Sequence, residues 1–70
     1  MMPLVLANQN EELTILKIGG KQEVKQHLED VGFVVGSKVM IVSSNDGNMI
    51  VNIKDSRISL DRNLAMKIMV

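Results

Sequence analysis

Between Val24 and Val42 the apolar positions change their spacing twice. Val24, Leu28 and Val31 fall at i, i+4 and i+7, one stripe of an amphipathic helix running Lys21 to Val31. Lys25, Gln26, Glu29 and Asp30 take its wet side. Gly32 follows, where helices commonly end in a left-handed residue that glycine adopts without a Cβ penalty. Phe33 comes next as the expected core anchor, and Gly36 marks a second turn before the strand Val39-Met40-Ile41-Val42. Leu28, Gly32, Phe33 and Gly36 are therefore read as structural residues that fold the chain back on itself.

Around this centre the pattern is one of short strands. Pro3-Leu4-Val5-Leu6 reads as an edge strand ended by Asn8-Gln9-Asn10. Leu13 to Ile18 is the first full strand, with Leu13, Ile15 and either Leu16 or Ile18 inward and Lys17 outward, stopped by Gly19-Gly20. Gly20 is left as the N-cap of the helix. Val39 to Ser44 and Met49 to Ile53 flank Asn45-Asp46-Gly47-Asn48, a strong hairpin turn. Lys54-Asp55-Ser56 turns again into Arg57 to Leu60, and Asp61 caps a short helix or 3₁₀ turn from Arg62 to Lys67. Ile68-Met69-Val70 closes the chain as a terminal strand. The result is a single domain over residues 1–70, mainly β with one or two short helices, a small barrel with a helix inserted after the first strand.

Seventy residues permit no second domain, and a chain this short buries only roughly 60% of its unfolded surface. There is no cysteine, which removes disulfides, thiolate metal sites and thiol chemistry, and is compatible with a reducing cytoplasm. Eight basic residues balance eight acidic ones, and one aromatic side chain gives no stacking platform, so nucleic acid is not an expected partner. The apolar opening Met1 to Ala7 is too short for a membrane span and has no basic residue before it, so no signal peptide is expected. With one Phe and six Met, the core must be aliphatic.

Catalytic chemistry finds few residues. His27 is the only histidine; Glu23 lies four residues before it on the same helix face, but spacing supplies no further ligand. Met40, Met49, Met66 and Met69 are dispersed as core filler would be, rather than clustered for a soft metal. Gly19-Gly20-Lys21 lacks the first glycine and the following Ser or Thr of a phosphate loop. Lys17, Lys21, Lys25 and Lys38 are interleaved with Glu23, Glu29 and Asp30, which makes a mixed solvated face. No nucleophile, base and orienter form a set, so neither an enzyme nor a bound cofactor is expected.

One feature points to function. Phe33-Val34-Val35 and Val39-Met40-Ile41-Val42 are continuous apolar runs, whereas a strand of a small antiparallel barrel normally keeps one face wet. Either the helix covers the second face or another molecule does. Val34, Val35, Met40 and Val42 are accordingly the candidate partner-binding residues, for a protein partner or for self-association into a homo-oligomer.

The run Leu28-x-x-Val31-Gly32-Phe33-x-x-Gly36-x-x-Val39 resembles the LxxLGLxPGxxV signature of the ferrous iron transport protein A (FeoA) family. The ending Ile58-Ser59-Leu60-Asp61-x-x-x-Ala65-x-x-Ile68-x-Val70 is similar to that family's close, and the likeness covers essentially the whole chain. Val35 stands where the family often has proline, and Asn8-Gln9-Asn10 replaces a commoner Pro-Gly turn. The resemblance implies an SH3-like barrel, cytoplasmic and non-enzymatic. It would act as accessory to a membrane ferrous iron transporter with a cytosolic GTP-binding domain. Related domains form the C-terminal part of iron- or manganese-dependent repressors, so the alternative it implies is a transition-metal sensor, for which His27 and carboxylates would have to converge. No metal ligand set transfers onto these residues.

Overall fold

The computed structural model describes residues 1–70. Its architecture follows from one strand, β3 (Lys38–Ser44), whose alternate residues Val39 and Ile41 are fully buried. β3 pairs antiparallel on one side with β1 (Glu12–Thr14) and on the other with β4 (Asn48–Ile53), which pairs with β5 (Ser56–Asp61). The order is β1-β3-β4-β5. A second, two-stranded sheet joins β2 (Lys17–Ile18) to β6 (Ile68–Met69). This is the SH3-like arrangement the resemblance implies, with a helix, α1 (Gln22–Val31), inserted between β2 and β3. The two sheets do not close into one continuous barrel.

The first strand divides because its inward parity changes. Ile15 is fully buried and Lys17 is exposed, so strict alternation fails between Ile15 and Ile18. The backbone turns the corner there. Ile15 N–H donates to the Ser37 carbonyl at 2.9 Å, whereas Leu16 N–H donates to Met69 at 2.8 Å. Leu16 is left exposed.

Four further expectations are corrected. Leu4–Leu6 is a 3₁₀ turn, not an edge strand; Leu4 enters the core, Leu6 faces solvent, and only Met2 and Pro3 pair with the C-terminal strand. The N-cap of α1 is Lys21, one residue later than Gly20, and its side chain makes no capping bond. The second helix, α2, is confined to Arg62–Ala65; Asp61 caps it, its Oδ1 accepting from Leu64 N–H at 2.8 Å. Val31, expected on the apolar stripe, is exposed, so α1 packs through Leu28 and the half-buried Val24.

Gly32 explains that last change. At φ 123° and ψ 0° it reverses the chain, its N–H bonding the carbonyls of Leu28 and Glu29. Phe33 N–H returns to Leu28 as well, which is the Schellman pattern of a glycine-ended helix. Phe33 enters the core just past the turn, while Val31, the last residue of α1, is left exposed before it. Twelve apolar residues form one core, with Phe33, Leu28, Ile15, Ile41, Ile53 and Ile68 among its fully buried members. No polar side chain is buried within it.

Candidate partner-binding surface

The four candidate residues do not form one patch: Val34 and Val35 line one groove, Met40 lines another, and Val42 lines neither. Val34 and Val35 follow the Gly32 reversal and sit in the connection to β3, held by Ser37 N–H donating to Val34 at 3.0 Å and Gly36 N–H to Ile15 at 2.8 Å. They line a groove of about 440 Å³ with Ile18, Phe33 and the α1 residues Gln22, Lys25 and Glu29. Val34 and Ile18 are half-buried, while Val35 is 64% exposed at the groove's surface. An apolar floor is thus bordered by a helix face that carries one cation and one anion four residues apart.

Met40 and Val42 belong to the outer face of the four-stranded sheet. Met40 stands between Glu12 on β1 and Asn52 on β4 in the strand register. It shares a second groove, about 430 Å³, with Glu12, Ser37, Lys38, Asn52 and Lys54. Lys38 Nζ donates to Thr14 Oγ1 at 2.6 Å across the same face. Val42 is the extra residue of a β-bulge, since the β3–β4 register moves from Ile41 opposite Val51 to Ser43 opposite Ile50. Both side chains are half-buried. The continuous apolar run therefore resolves into Val39 and Ile41 inside and Met40 and Val42 on the outer face. α1 lines the first groove and contributes nothing to the lining of the second.

Of the residues read as structural, Leu28 and Phe33 are buried, and Gly32 and Gly36 both have positive φ. Ile18, Lys25 and Glu29 complete the first groove without having been singled out from the sequence. The i, i+4 spacing of Lys25 and Glu29 puts them on one helix side, but only the fold shows that Val34 and Val35 return beside it.

His27 and Glu23 are exposed on α1, and no three His, Asp or Glu side chains converge on a point. Of the four methionines read as core filler, Met49 is buried and Met40 and Met69 are half-buried, but Met66 faces solvent just after α2. No helix is long and apolar enough to cross a membrane.

The FeoA domain family matches residues 2–70. A protein of Methanocaldococcus jannaschii, provisionally named Fe(2+) transport protein A, is 39% identical over all of this chain and 85% of its own length. A crystal structure described as iron uptake regulatory protein (FeoA) superposes with a TM-score of 0.88 at 19% identity, covering 96% of this chain and 91% of that one. A manganese-dependent transcriptional repressor shares the fold over 94% of this chain and 38% of its own, with a TM-score of 0.85 at 16% identity. The family match spans both the Gly32 turn and the closing β5–β6 segment, and the chain belongs to the FeoA domain family.

Proposed function

We propose that this domain is a non-enzymatic, cytoplasmic accessory of a ferrous iron uptake system. It docks on the cytosolic GTP-binding domain of a membrane iron transporter and modulates it. Membership of the FeoA family and the name of the M. jannaschii relative support the iron transport setting. The observation that carries the docking reading is Val35, 64% exposed beside an apolar groove floored by Phe33, Val34 and Ile18. An exposed β-branched residue at an apolar groove gives a partner side chain area to bury without rearranging the domain.

The docking surface is centred on Val34 and Val35, with Met40 and Val42 on the outer sheet face as its second part. The connection between α1 and β3 links the two in sequence: Val34 and Val35 line one groove and Ser37 the other. Val35→Glu places a charge where docking would bury it unpaired, so binding is lost while the monomer stays folded. Met40→Glu weakens docking through the second groove. A pull-down with the transporter's cytosolic domain, run beside circular dichroism of each variant, tests both. Unimpaired docking by a folded Val35→Glu variant overturns this surface.

A further inference from the structure

β5 has β4 on one side and no strand on the other. Alternate residues of an antiparallel pair exchange both hydrogen bonds with the partner strand, and those between turn theirs away. The ladder's parity is fixed at its end, where Arg62 N–H donates to the Gly47 carbonyl at 3.1 Å, one step beyond Asp61 opposite Asn48. Ile58 and Leu60 therefore bond to β4, while Arg57, Ser59 and Asp61 turn their backbone groups toward the open edge. Their side chains are exposed as well.

We propose that this edge pairs with a second copy of the same chain, β5 against β5 antiparallel about a two-fold axis at Ser59. This register sets Ser59 opposite Ser59 and Arg57 opposite Asp61 of the other copy. All three residues whose backbone groups face outward then become hydrogen-bonded pairs, and the two four-stranded sheets join into one. The Asp61 carbonyl already starts α2, so the pairing rests on the N–H groups of Ser59 and Asp61 and the carbonyls of Arg57 and Ser59. Charge complementarity selects the register. Sliding by two residues in either direction loses outward-facing rungs and separates Arg57 from Asp61. Opposite charges directly across a strand pair stabilise it, and like charges oppose it. Natural edge strands are commonly protected by charged side chains, Lys above all, by Pro or by inward-pointing charge. The β5 sequence Ser-Arg-Ile-Ser-Leu-Asp has no Lys or Pro, and its two charges become complementary when the strand is reversed against itself. A formal net charge of zero adds no repulsion between copies.

Sedimentation equilibrium of the full chain should show the mass rising from 7.8 kDa toward twice that value as concentration enters the millimolar range. Amide exchange at Ser59 and Asp61 should slow over the same range. Ser59→Pro removes an N–H that makes no bond within the monomer, and should weaken association about tenfold or more while circular dichroism stays unchanged. Arg57→Glu should do the same by setting two carboxylates face to face, independently of any effect of the proline on folding. Mixing the Arg57→Glu chain with an Asp61→Lys chain restores both ion pairs, so association should return between unlike copies, with circular dichroism checking that the Asp61→Lys chain folds without the α2 cap that Asp61 supplies to Leu64 N–H. A mass of 7.8 kDa at every concentration overturns the proposal. So does a dimer that a folded Arg57→Glu variant forms as well as the parent.

Discussion

The Phe33 amide donates to the Leu28 carbonyl at 2.8 Å, across the reversal that Gly32 makes at the end of α1. Both residues are fully buried, so the bond that ends the helix also seats its one fully buried residue and the aromatic anchor in one core. Gly32→Ala separates backbone strain from packing at this point. A Cβ built on Gly32 meets no atom within 4 Å, so the cost comes from φ 123° alone. Chemical denaturation should show a loss of about 1–2 kcal/mol. An unchanged midpoint would mean that the helix end tolerates another geometry.

Phe33 itself has no exposed surface. Phe33→Ala removes its contacts and leaves a cavity that a small β core cannot fully close, and should cost about 3–5 kcal/mol. In a 70-residue domain that leaves little folded protein at ordinary temperature. A cooperative thermal transition near that of the parent chain would contradict the packing described here.

Lys54 is strained where glycine would not be. It opens the two-residue turn between β4 and β5 with φ 54°, and its side chain is exposed. Lys54→Gly relieves a left-handed penalty of about 1–2 kcal/mol and adds unfolded-state entropy worth about 0.4–1 kcal/mol. A net gain of about 0.5–1 kcal/mol is expected, read as a melting temperature a few degrees higher. A lower melting temperature would show that the lysine side chain contributes more than its backbone costs.

Metal binding by the isolated domain should be weak. His27 and Glu23 offer at most two donors on one exposed helix face, and tight Zn²⁺ or Fe²⁺ sites need several donors converging. Calorimetry with either ion should show no stoichiometric binding in the micromolar range. A site of that strength, abolished by His27→Ala, would favour the metal-sensor alternative over docking.

Local chemistry alone set much of this molecule. The Leu28 to Phe33 turn, the Asn45 hairpin and the Asp61 cap are all interactions between residues a few positions apart. Asn45 Oδ1 accepts from Gly47 and Asn48 N–H at 3.2 and 3.0 Å, as residue type at that spacing dictates. What tertiary structure decided is where long-range pairing overrides a local pattern. Leu13 to Ile18 looks like one strand, but Ile15 finds Ser37 and Leu16 finds Met69, so it divides between two sheets. Pro3 to Leu6 has the apolar character of a strand but closes as a 3₁₀ turn over the core, because only Met2 and Pro3 reach the C-terminal strand. The same holds for the candidate surface. Four apolar residues within nine positions read as one patch, but the turn at Gly36 and the pleat of β3 put Val34 and Val35 on one groove and Met40 on another, with Val42 at the β3 bulge outside both. Period and turn chemistry act over a few residues, whereas which strand edges meet depends on partners tens of residues away.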